Sequence, residues 1–194
     1  MRVTFHKPMF IALLVGLLSG VVSSGLLQGL FFSELDLGGE RFGIQTFLTL
    51  SAGAAFAVIG TAFLRWRYQL VTPAVILCVG ASIMGMFLAT EAAFWTVIIT
   101  DGPNNASVLP AYIVGSLVGA TILSGAAAWA TRTGRAKRII GHGVLWPTLW
   151  AAAVGAYITM DPNRDMVAWP NDMLLFCGWQ AACLGALTQA MRAR

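Results

Sequence analysis

Residues Pro8 to Phe32 read PMFIALLVGLLSGVVSSGLLQGLFF, a run with no charged side chain. A bilayer core of about 30 Å is crossed by about 20 helical residues, so this stretch alone is long enough to span. Five further long apolar runs follow: Ile44 to Leu64, Leu70 to Ile99, Leu109 to Ala130, Ile139 to Met160, and Met173 to Met191. Lipid offers the backbone no hydrogen-bond partners, so each run must bond within itself as a helix. A transmembrane barrel would show short alternating segments instead. The expected fold class is all-α: a polytopic membrane protein, a six-transmembrane-helix bundle, forming one integral membrane domain over residues 1–194. The connections SELDLGGERFG, RWRYQ, TDGPNNASV, TRTGRAKR and DPNRDMVAWPN are short and carry turn chemistry.

The composition agrees. Of 194 residues, 58% are hydrophobic and 10% charged, against about 45–50% and about 25% in a soluble domain. These proportions exclude a soluble globule, a disordered chain and a disulfide scaffold. The start, MRVTFHK followed by PMFIALLVGLLSG, with Val22-Ser23-Ser24 behind it, has the order of a signal peptide. The apolar run continues to Phe32, longer than a usual signal core, so the first helix is expected to be retained.

Sorting the charges by connection gives the orientation. Arg2, Lys7, Arg65, Arg67, Arg132, Arg135, Lys137, Arg138, Arg192 and Arg194 fall on one side. Glu34, Asp36, Glu40, Asp101, Asp161, Asp165 and Asp172 fall on the other, with only Arg41 and Arg164. The positive-inside rule then places both termini in the cytoplasm, in what is expected to be the bacterial inner (plasma) membrane. The formal net charge of +4 is an orientation signal, not a nucleic-acid footprint. The lipid bilayer is the expected partner, and no nucleic acid is.

Cys78, Cys177 and Cys183 lie inside apolar runs without a CxxC pair, where a thiol acts as a small hydrophobe. In DPNRDMVAWPND, Asp161, Asn163, Asp165 and Asp172 match positions 1, 3, 5 and 12 of a calcium loop. Met166 stands where that loop needs glycine, so turn chemistry is the better account, with Asp172 a candidate cap of the sixth helix. His6 and His142 cannot pair as haem ligands, since His6 lies outside the spans. HExxH, GxSxG, Walker A and GxGxxG motifs are absent. No metal, cofactor or catalytic residue is expected, and an enzyme is disfavoured.

Glu91 is the ionisable residue that the connections cannot claim, and acids inside a membrane are usually functional. The run Leu70–Ile99 is about 45 Å long as helix, so Glu91 sits either at the outer interface or, as a coupling carboxylate, within the span. Gln28, Gln180 and Tyr157 fall at comparable depth, and Trp150 with Trp146 adds an aromatic face. Glu91, Gln28, Gln180, Trp150 and Tyr157 are therefore the candidate residues for substrate binding or coupling. They would suit a cavity for a small, largely neutral ligand.

Gly16 and Gly20, and Gly115 and Gly119, have the four-residue spacing that lets helices approach closely, within this chain, a homo-oligomer or a partner membrane subunit. The strings VGLLSG (Val15–Gly20) and VGSLVG (Val114–Gly119) resemble each other, as an inverted repeat of three-helix halves would require. Pro147 is a hinge candidate. The functional expectation is a protein that binds or moves a small solute, as a channel, compact transporter or membrane substrate-binding subunit. The alternative is a non-transporting accessory or assembly subunit of a larger membrane complex.

Overall fold

A computed structural model describes residues 7–32, 41–100, 105–131, 134–160 and 171–191. Glu34, Asp36, Glu40, Asp101, Asp161, Asn163, Asp165 and Met166 lie outside the described residues, as do Arg2, His6, Arg132, Arg164, Arg192 and Arg194. Among the described residues there are six helices: α1 (Lys7–Phe32), α2 (Arg41–Tyr68), α3 (Thr72–Ile99), α4 (Asn105–Thr131), α5 (Ala136–Thr159) and α6 (Asn171–Met191). Five of them, α1, α3, α4, α5 and α6, are long and apolar enough to cross a membrane. α2 ends with Arg65 and Arg67 in its last turn.

The helix boundaries follow local chemistry. α2 and α3 are joined by a tight turn in which Gln69 adopts φ 49°. Val71 then enters α3 in an extended conformation, and Pro73 occupies the first turn, where its missing N–H removes no helical bond. α3 continues unbroken to Ile99, past Glu91. Pro147 is buried within α5, which runs on through it.

Each helix packs on its neighbours in chain order, and α6 returns to α1 to close a ring. Phe56, Phe63 and Leu64 of α2, Leu123 and Ala127 of α4, and Leu184 and Leu187 of α6 share one buried cluster in its interior. The two halves, α1–α3 and α4–α6, meet mainly along two seams, α1 against α6 and α3 against α4.

Both seams are built on the repeated VGxLxG string. A Cβ at Gly16 would fall on the backbone of Ala181, and one at Gly20 on the backbone of Cys177. At Gly115 a Cβ would lie 2.8 Å from the Ala89 carbonyl oxygen, and at Gly119 3.1 Å from the Ala89 Cβ. In each half, therefore, the glycine pair of the first helix presses against the last helix of the other half. Close approach of this kind gains dispersion contact where no hydrophobic drive exists between helices.

Candidate functional site

Ser24 and Gln28 are one helical turn apart on α1 and so share a face. That face meets the start of α6. Oδ2 of Asp172 accepts a hydrogen bond from Ser24 Oγ at 2.8 Å and another from Gln28 Nε2 at 2.8 Å. Asp172 is 3% exposed, and its second oxygen, Oδ1, is buried with no partner among the described residues. Among the described residues no Lys, Arg or His pairs with it.

Two turns further along α6, about 12 Å away, Gln180 is 1% exposed. Its Nε2 donates to Ser23 Oγ at 2.8 Å, and Ser23 in turn donates to the Ala52 carbonyl oxygen at 3.0 Å. Gln180 Oε1 has no partner among the described residues. The hydroxyls of Ser19, Thr188 and Ser124 are also buried with no partner among the described residues. The hydroxyl of Tyr68 reaches the Thr188 carbonyl oxygen at 3.2 Å. From Asp172 to Thr188 the file extends about 24 Å along the α6 axis.

Leaving a buried polar atom unpaired costs about 1–3 kcal/mol, and structures normally hold few of them. Among the described residues five such atoms are found, on α1, α6 and α4. Beside Gln180 lies a void of about 10 Å³ open to the centre of a water molecule, bounded by Ala52, Phe56, Ser82, Gly85 and Trp179. This is about the size that holds one water.

Aromatic side chains flank the file. Trp179 Nε1 donates to Ser116 Oγ at 2.8 Å, and its ring stands edge-on to Phe56 at 6.2 Å. The Trp150 indole lies on Gly178, where any Cβ would collide with it, and Trp150 Nε1 donates to the Leu174 carbonyl oxygen at 3.1 Å.

Neither a known protein family, nor a curated protein, nor a solved structure matches the chain.

Of the residues named from sequence, Gln28 and Gln180 lie on this seam, and Trp150 contacts α6 from α5. Tyr157 is 46% exposed on α5. Glu91 is partly exposed and lies on the face of α3 that carries the exposed Met84, Leu88, Trp95 and Ile98. α3 packs on α2 and α4, so the structure does not bring Glu91 to the glutamines. Asp172, read from sequence as an outer-loop acid and helix cap, instead sends its carboxylate across to α1. The available signal was the Ser24/Gln28 pair, two polar groups one turn apart on a largely apolar helix.

Proposed function

We propose that the chain is a six-span protein of the inner membrane, with both termini cytoplasmic, that binds and moves a small solute along the α1–α6 seam. The observation that carries this reading is the file of buried, partly unpartnered polar atoms from Asp172 to Thr188. Its length of about 24 Å approaches the thickness of the hydrocarbon core. With α2 counted as a span, the positive-inside rule puts Asp172 near the outer face and Tyr68 near the cytoplasmic face.

The halves support the same reading. Glycine pairs placed alike on two seams fit an inverted duplication, the architecture in which one half rocks against the other around a shared site. The void beside Gln180 admits one water, so passage of anything larger requires the α1–α6 seam to part. Trp179 and Phe56 would then meet the solute with apolar surface, and Gln180 and Ser23 with hydrogen bonds.

The test is transport by the reconstituted protein. Proteoliposomes are challenged osmotically with glycerol or urea, and separately with a pH step read by an entrapped dye. The reading expects one of these probes to cross at least several-fold faster than in protein-free vesicles. Equal rates for all three would overturn it.

A second reading, a non-transporting subunit of a larger membrane complex, is favoured by an open groove of about 840 Å³ between α3 and α4. Gly80 and Gly125 line it and have no atom within contact range of a Cβ position. This reading expects a stoichiometric membrane partner in mild detergent that is lost from the Gly80→Leu/Gly125→Leu double variant. A partner unaffected by those substitutions, or none, counts against it.

A further inference from the structure

We infer that the interior of the bundle holds a binding site for a single water molecule, which donates to Gln180 Oε1 of α6 and to Ser82 Oγ of α3. The site follows from the packing of the described side chains and does not need the transport reading.

Three helices leave the space beside Gln180. Ala52 and Gly53 of α2, Ser82 and Gly85 of α3, and Gly119 of α4 bring small side chains or none to the void of about 10 Å³ that Gln180 also lines. An apolar cavity of this size stays dry, whereas one with polar partners takes a water. The amide of Gln180 is oriented by Ser23. That hydroxyl donates its proton to the Ala52 carbonyl oxygen at 3.0 Å, so towards Gln180 it is an acceptor, and Nε2 donates to it at 2.8 Å. Oε1 is the amide atom left over, buried with no partner among the described residues. Ser82 donates to the Cys78 carbonyl oxygen at 2.7 Å, which leaves the lone pairs of its oxygen to accept.

Two acceptors on one void select an occupant with two protons to donate, and the volume limits it to the size of water. The lining disfavours an ion, because among the described residues no ionisable side chain bounds the void and an unpaired charge is costly in an apolar interior. Along the bounding helices, Arg41 is eleven residues from Ala52 and Asp172 eight from Gln180, about 16 Å and about 12 Å away. Glu91 lies on the exposed face of α3. The bound water therefore ties α6 to α3, the last helices of the two halves, at the level where Ser23 already ties α6 to α1.

The experiment is NMR of the full-length protein in lipid nanodiscs, with glutamine labelled at 15Nε and magnetisation transferred from water. The Nε2 protons of Gln180, assigned by the signal missing from Gln180→Leu, should show a rotating-frame Overhauser peak at the water frequency, opposite in sign to chemical exchange. Ser82→Val puts a methyl group in place of the hydroxyl and a second into the void, and should abolish the peak. Where that variant does not fold, Ser82→Ala removes the acceptor alone and should weaken the peak severalfold. No such peak in the unaltered chain overturns the inference. An undiminished peak in the folded Ser82 variant also overturns it, since the water would then lie in the α1–α6 seam. The measurement needs no flux, so a resident water in a protein that moves no solute would refute the transport reading and leave the site in place.

Discussion

The hydroxyl of Ser24 donates to Oδ2 of Asp172 across 2.8 Å, joining helices whose contact residues are 148 positions apart in the chain. Gln28 donates to the same oxygen, so α1 is fastened to the start of α6 by two hydrogen bonds to one buried atom. Interhelical hydrogen bonds in membranes contribute about 0.6 kcal/mol on average and up to about 2 kcal/mol. A double-mutant cycle of Ser24→Ala and Asp172→Asn, read by equilibrium unfolding in mixed micelles, should give a coupling in that range. Strict additivity of the two substitutions would mean that the contact contributes nothing.

The glycine seams make a graded prediction. Gly20→Ala and Gly16→Ala would put a methyl group into the α6 backbone, and overpacking of this kind typically costs about 1–3 kcal/mol. Gly119→Ala should cost less, because its nearest contacts, the Ala89 methyl at 3.1 Å and the Gly85 carbonyl oxygen at 3.3 Å, are looser. Gly25→Ala meets nothing and should be neutral, or stabilising by up to about 1 kcal/mol through helix propensity. Unfolding midpoints of the four variants check the order. A Gly20→Ala protein as stable as Gly25→Ala would contradict the seam.

Topology is tested by cysteine accessibility in intact cells. With Cys78, Cys177 and Cys183 replaced by alanine, Asp101→Cys should react with an impermeant maleimide from outside. Lys137→Cys should react only after permeabilisation. Labelling of both from the same side would remove the six-span arrangement, and with it the outward placement of Asp172.

The helices were legible because lipid leaves the backbone no other way to satisfy its hydrogen bonds, and hydropathy reports that constraint directly. Which polar groups meet was not legible. Gln28 and Gln180 could be placed at a depth, but the direction each faces depends on how its helix is rotated in the ring. Asp172 was hidden because it is the second residue of α6, at the edge of an apolar run where a charge ledger counts it with the loop. Glu91 stood out in sequence for the opposite reason: it interrupts an apolar run, although α3 carries it on an exposed face. The VGxLxG strings were visible, while their shared role required knowing that each presses on the last helix of the other half.

The most direct test of the solute path is flux through a variant altered only at Gln180, the buried amide at the middle of the file. Gln180→Leu keeps similar bulk and removes the hydrogen bond to Ser23. The wild-type protein in proteoliposomes should carry glycerol, urea or protons above the protein-free rate. The variant should retain its helix content and lose at least tenfold of that flux, about 1.4 kcal/mol of barrier. Unchanged flux in a folded Gln180→Leu protein would contradict a path along the α1–α6 seam.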